Sequence, residues 1–162
     1  MKVICISGTP GTGKTYLTKR LSKLYNYQYV NVKNLIKEYK LQEGYDKEKK
    51  CGIVDVKKLN KVLMKEINRL KKEKSNGIII DSHLSHYLPK KYVDLCIVTK
   101  CELKILKKRL ENKGYSKKKV RENLDCEIFD ICLNEAKEQG HKILTLDTSK
   151  RRNISTLKKS IV

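Results

Sequence analysis

Apolar residues in this chain come in two rhythms. Short, nearly unbroken runs recur at Val3–Ser7, Tyr29–Val32, Gly77–Asp81, Asp94–Thr99 and Ile143–Asp147, which predicts strands buried on both faces. Between them apolar residues return every third or fourth position, as on one side of a helix. Leu17, Leu21 and Leu24 form one such stripe; Val56, Leu59, Leu63, Ile67 and Leu70 form a second. Leu103, Leu106 and Leu110 make a third, and Val120, Leu124, Ile128 and Leu133 a fourth. Ile154, Leu157 and Ile161 suggest a short closing helix. The alternation predicts an α/β fold, a five-stranded parallel sheet flanked by helices, in one domain over residues 1–162. No internal repeat or linker divides it. Two segments break the rhythm: polar Lys33 to Asp55, with Gly44 and Gly52, and Glu111 to Lys119, centred on Gly114-Tyr115-Ser116. Inserts of this kind on a rigid sheet often carry substrate contacts.

Composition narrows the classes. The chain has 162 residues, no Trp and one Phe, so aliphatic side chains must build the core, with several of the nine Tyr half exposed. The formal charge is +20, yet only six of the 38 basic residues are Arg. Proteins that read nucleic-acid sequence favour the planar Arg fork. A lysine excess therefore points first to the codon bias of an AT-rich genome, or to heat adaptation, and only second to a nucleic-acid partner. The six Cys contain no CxxC pair, which argues against a zinc site or a disulfide framework and for reduced thiols. No apolar stretch reaches membrane-spanning length, and Val3-Ile4-Cys5-Ile6 begins without a leader-like segment. The expected location is the cytoplasm, with no membrane partner.

The chemistry starts after the first strand. Gly8-Thr9-Pro10-Gly11-Thr12-Gly13-Lys14-Thr15 satisfies G-x-x-x-x-G-K-[ST] at every fixed position, with a strand before it and an amphipathic helix after it. Glycines let successive N–H groups turn inward toward phosphate oxygens, and the helix N-terminus adds partial positive charge. Lys14 is the expected contact to the β- and γ-phosphates, and the Thr15 hydroxyl the expected Mg²⁺ ligand. The third apolar run ends in Asp81, a second candidate metal ligand, and His83 two residues on could orient water or the metal shell. His86 and His141 carry no such context and read as structural. The expected class is a P-loop NTPase that uses ATP with Mg²⁺.

With these residues in view, the chain resembles a known family. Gly8–Thr15, Asp81-Ser82-His83 and the run Arg109-Leu110 … Lys113-Gly114-Tyr115-Ser116 … Glu122-Asn123-Leu124 … Cys126-Glu127-Ile128-Phe129 look like adenylate kinase isoenzyme 6 and its archaeal counterparts. The resemblance implies a nucleoside monophosphate kinase-like fold with a short lid. It also implies adenylate kinase and ATPase activity, and a part in small-ribosomal-subunit maturation. It implies ATP contacts at Gly11, Gly13, Lys14, Thr15 and Tyr16, catalytic roles for Lys14, Asp81 and His83, and nucleotide contacts from Arg109 and Lys113. The monophosphate-binding segment falls on residues 30–53 and the lid on 112–122. Lys113 and Lys37 stand where the family usually has Arg, which keeps the charge but loses the bidentate fork.

Two readings of function follow. One is an enzyme acting on ATP and AMP, ATP + AMP ⇌ 2 ADP. The other is an assembly factor whose ATP turnover switches its grip on a small-subunit ribosomal protein and rRNA, for which Glu43, Asp46, Glu48 and Asp55 offer a local acidic patch. A shikimate kinase would want an Asp-rich pocket after the second strand and three glycines after the third. This chain has Lys33-Asn34 and Ser82-His83 there.

Overall fold

The computed structural model describes residues 1–48, 51–150, 157 and 161. In chain order the elements are β1 (Lys2–Gly8), α1 (Lys14–Tyr25), β2 (Gln28–Asn31), α2 (Val32–Glu38), β3 (Gln42–Asp46), β4 (Cys51–Val54), α3 (Val56–Lys72) and β5 (Gly77–Asp81). They continue with β6 (Leu95–Lys100), α4 (Leu103–Asn112), α5 (Lys117–Ile128), α6 (Ile131–Glu138) and β7 (Ile143–Asp147). Among the described residues, five parallel strands form one sheet in the order β2-β5-β1-β6-β7.

Side-chain alternation explains why β1, β5 and β6 are apolar nearly throughout, whereas the edge strands β2 and β7, expected to be buried on both faces, are half exposed. Val3 and Cys5 of β1, with Ile78 and Ile80 of β5, enter a core closed by Leu59, Leu63 and Ile67 of α3 and Ala136 of α6. Ile4, Ile6 and Ile79 enter the opposite one, with Leu17 and Leu21 of α1. Each such isoleucine, fully buried, contributes roughly 1.5–3 kcal/mol. β1 lies at the centre, with β5 on one side and β6 on the other, so the chain switches direction across it. In an open parallel sheet that switch opens a crevice at the strands' C-terminal ends.

The stripes extend less far than their periodicity predicts. Leu24 is 56% exposed, because Tyr25, four residues after Leu21, takes the next inward position of α1. Leu103, the first residue of α4, is exposed, since the core beneath that helix is built by Leu106, Leu110, Cys101 and Val120. The fourth stripe spans two helices: Asp130 takes a left-handed φ of 53°, ends the run after α5, and leaves Ile128 and Phe129 exposed while Leu133 packs from α6. The second strand stops at Asn31, whose side chain accepts from Lys33 N at 3.0 Å and caps α2, so Val32 opens a helix. The polar segment that follows holds α2 and an antiparallel hairpin, β3–β4. The expected closing helix lies outside the described residues, except Leu157 and Ile161, which are buried in the second core.

Candidate functional site

The loop between β1 and α1 is shaped by contacts that only glycine tolerates. At Gly8, φ is +135°, and a Cβ would lie 2.4 Å from Thr99 Oγ1 and 2.6 Å from the Thr99 carbonyl. At Gly11, φ is +89°, and a Cβ would press on Leu106 and Leu110 at 3.0 Å, so α4 sits directly on the loop. Within the loop the Thr12 hydroxyl donates to the Thr9 carbonyl at 2.7 Å. Gly13, left-handed at φ 84°, turns the chain into α1 without a side-chain cap, which leaves that helix's first N–H groups open to an anion.

Lys14 donates from Nζ to the carbonyls of Gly8 at 2.7 Å and Thr9 at 3.0 Å. Burial pushes its pKa down to about 8. Asp81 pulls the other way, and the like charge of Lys113 in the turn after α4 pushes it lower still. A polyanion in the loop should restore the proton. ATP binding is therefore expected to take up a proton above pH 8 and almost none well below it, and to weaken as pH rises through that value. Calorimetry in buffers of different ionisation enthalpy checks this.

Asp81, at the end of β5, is reached from two sides. Thr15 Oγ1 donates to Asp81 Oδ2 at 2.7 Å, and the Tyr29 hydroxyl donates to the same oxygen at 3.3 Å. Burial and that carboxylate push the Tyr29 phenol up to about 12. The expected pair of metal ligands thus meets in space. Hydroxyl plus carboxylate is a hard-oxygen set suited to Mg²⁺, which completes its shell with phosphate and water. Beyond this pair, no cluster of three or more His, Cys, Asp or Glu among the described residues is arranged to hold a metal.

His83 reaches solvent at the rim but stands in a crowded, positive setting. Desolvation first, then the charges of Lys14, His86 and Lys33, push its pKa down to about 4 against the opposing pull of Asp81. Its imidazole is neutral at neutral pH. The charges of Lys14 and of Lys33, at the start of α2, thus reach His83, and that of Lys113, in the turn after α4, reaches Lys14.

The remaining candidates flank this centre. Arg109 Nη2 donates to the Thr148 carbonyl at 2.9 Å, while the Thr148 hydroxyl donates to the Thr12 carbonyl at 2.6 Å. Arg109 is thus tied to the loop's outer side, through a residue after β7 that nothing in the sequence singled out. Tyr16 is 59% exposed on α1, with the Arg20 guanidinium 5.6 Å from its ring centre. Residues 112–122, where a lid is expected, form a short turn and the first turns of α5, which Ser116 caps. Lys118 of α5 pairs with Glu48 beyond β3, joining that helix to the hairpin.

Two arrangements were not legible beforehand. His86, fully buried, links Ser7 at 2.6 Å to Glu135 at 2.9 Å, and its carbonyl meets His141 Nε2 at 2.7 Å. That serine–histidine–carboxylate order is familiar from hydrolases, but Ser7 is wholly inaccessible, so both histidines are structural. The second is Glu127, buried on α5, whose Oε2 accepts from the Thr9 hydroxyl at 2.7 Å. The acidic patch is also less free than its sequence suggests. Glu43 pairs with Lys58, Glu48 with Lys118, Asp55 caps α3, and Asp46 accepts from Glu48 N.

A glycine loop ending in Lys-Thr, set on the central strand of a parallel sheet with an acid at the neighbouring strand's tip, defines the P-loop NTPase class. The family profile described as an AAA domain matches residues 4–130. A Methanocaldococcus jannaschii protein named "Putative adenylate kinase" is 39% identical over 91% of this chain and 77% of its own length. The Dictyostelium discoideum "Adenylate kinase isoenzyme 6 homolog" is 35% identical, over 83% and 73%. A solved Chloroflexus aurantiacus structure described as a "putative kinase" shares the fold at 12% identity, with a TM-score of 0.60 over 99% of this chain and 98% of that one. The chain belongs to the adenylate kinase isoenzyme 6 family, with its archaeal members, and is a nucleotide kinase. No helix among the described residues is long and apolar enough to cross a membrane.

Proposed function

We propose that this protein transfers the γ-phosphoryl group of ATP to AMP with Mg²⁺. The observation that carries the reading is the meeting of the glycine loop and its Lys14 with the Thr15–Asp81 pair at the end of β5, within reach of the charges of Lys33 and Lys113. Like charges gathered in this way repel one another until a polyanion enters. A donor and an acceptor phosphate meeting there would supply one.

Phosphoryl transfer needs little covalent help, so the chain acts by positioning and charge. Gly11 and Gly13 let the backbone wrap the β-phosphate. Lys14 leaves the Gly8 and Thr9 carbonyls for the β- and γ-phosphates, and Lys113 and Arg109 guard the lid side. Tyr16 lies on the exposed face of α1, beside the nucleotide. Thr15 and Asp81 would hold Mg²⁺, which would supply neutralisation of the phosphate charge. Neutral His83 can accept a hydrogen bond from water, or from the acceptor, at the same rim. ADP formation from ATP, measured with and without AMP, tests the reading: a strong dependence on AMP supports it, and equal rates oppose it.

Lys113 stands where the family usually has Arg. Lys113→Arg adds a bidentate phosphate clamp and is expected to give an equal or higher adenylate kinase rate, checked by steady-state kinetics. A marked loss would mean that the lid is built around lysine.

A second reading is favoured by the net charge of +20. A surface so positive suits weak, salt-sensitive contact with rRNA beside a small-subunit ribosomal protein, with ATP turnover as the switch. The occupied acids described above leave little free acidic surface for a basic protein. Exposed Ile128, Phe129 and Ile131 offer an apolar contact instead. Recovery of rRNA and a ribosomal protein from extract at moderate salt, altered by ATP, supports this role.

A further inference from the structure

Thr9 is the second residue of the phosphate loop, and its side chain is 1% exposed. Its hydroxyl lies 2.7 Å from Glu127 Oε2 and 3.7 Å from Cys126 Sγ, so the carboxylate is the main acceptor. Glu127 is itself 5% exposed. Its other oxygen accepts from Cys101 N at 2.9 Å and faces Lys100 Nζ at 3.0 Å. Lys100 also donates to the Glu127 carbonyl at 3.1 Å and pairs with Asp130 at the turn after α5. One carboxylate thus joins the loop after β1, the end of β6, and the last turn of the helix that begins at the lid.

Such a buried ion pair adds little net stability over a well-packed apolar filling. What it does supply is direction, because each oxygen is committed to donors at fixed angles. The residue it fixes matters to the loop's lysine. The Thr9 carbonyl accepts from Lys14 Nζ at 3.0 Å, from the Thr12 hydroxyl at 2.7 Å and from Thr12 N at 3.2 Å. Rotation of Thr9 would move the support of Lys14 and reshape the N–H cradle together.

We propose that Glu127 is a positioning residue for phosphoryl transfer, a strut through which α5 and the end of β6 hold Thr9, and through Thr9 the phosphate loop. The proposal rests on the nucleotide-transfer reading above. It predicts coupling between lid and loop: displacement of α5 during lid motion pulls on the loop at Thr9.

The test compares Glu127→Gln, Thr9→Val, Thr9→Ser and the double variant Glu127→Gln/Thr9→Val. ATP Kd, kcat, KM for AMP and the melting temperature are measured for each. Thr9→Val removes the hydroxyl at nearly constant volume, whereas Thr9→Ser keeps it. A strut predicts that Thr9→Val and Glu127→Gln each weaken ATP binding and lower kcat, about tenfold in each, with KM for AMP unmoved. Thr9→Ser should stay near the wild type, and the double variant should be no worse than the poorer single one, as expected for two ends of one contact. A purely structural Glu127 would instead lower the melting temperature and leave Kd and kcat unchanged, which overturns the proposal. Should Glu127→Gln fail to fold, the Thr9 pair still decides, because equal kcat and Kd for Val and Ser also overturn it. Absence of AMP phosphorylation by the wild type would remove the transfer reading, while the ATP Kd series would still judge the strut.

Discussion

Lys14→Ala should weaken ATP binding by about 100-fold while leaving the fold intact. In the proposed role the ammonium would make two charge-assisted hydrogen bonds to phosphate, together about 3 kcal/mol, or two decades in Kd. Arg109 is a poor substitute, since it is already committed to Thr148. The melting temperature should stay level or rise. Folding lowers the Lys14 pKa from 10.5 to about 8, so the folded chain binds fewer protons than the unfolded one between those values. Charged Lys14 therefore costs stability below pH 8, and that cost disappears as pH climbs toward 10.5. Calorimetric titration with ATP, run beside a thermal melt, checks both halves. Unchanged affinity would contradict the assignment of the loop.

Asp81→Asn carries the second large effect, on turnover. An amide oxygen still accepts from Thr15 and Tyr29, so the strand end should hold its shape. It is a much poorer ligand for a hard cation, and the charge balance at the transferring phosphate changes with it. We expect kcat to fall by roughly 100-fold, the range seen when one transition-state stabilising group is lost. ATP affinity measured without Mg²⁺ should hold or improve, because a negative charge facing the phosphates has gone. The Tyr29 phenol should relax from about 12 toward its ordinary value of 10.0, visible as an ultraviolet pH titration. Lowered Mg²⁺-free ATP affinity with normal turnover would reverse the roles given to Asp81 and Thr15.

The parts of this molecule written in local sequence were readable from it. The three central strands announced themselves as apolar runs because both their faces are buried, the edge strands by shorter runs, and the loop because its glycines and Lys-Thr have one geometry. Asp81 could be placed at a strand tip for the same reason. The rest depends on tertiary contacts. The β3–β4 hairpin is short, with β3 polar and Ile53 of β4 exposed, so it carries no alternating buried face for a pattern to reveal. The break at Asp130 interrupts a stripe that helical periodicity would have carried straight on. Glu127 shows the limit most clearly. On a polar helix that also carries Glu122 and Asp125, a third acid looks like another solvated position, and only its packing beneath the phosphate loop and the end of β6 makes it a buried acceptor for Thr9. Tyr29 and Thr148 are similar, since each acquires its place from a partner more than thirty residues away in the chain.

The central claim is that this loop hands a phosphoryl group to a nucleoside monophosphate. The most direct test is a single-turnover reaction of the protein with ATP labelled in the γ-phosphate, with Mg²⁺, in the presence of AMP. We predict that the label appears in the β-phosphate of ADP, and that Lys14→Ala abolishes the transfer. Label found only in inorganic phosphate, at the same rate with or without AMP, would contradict the account and leave an ATPase in its place.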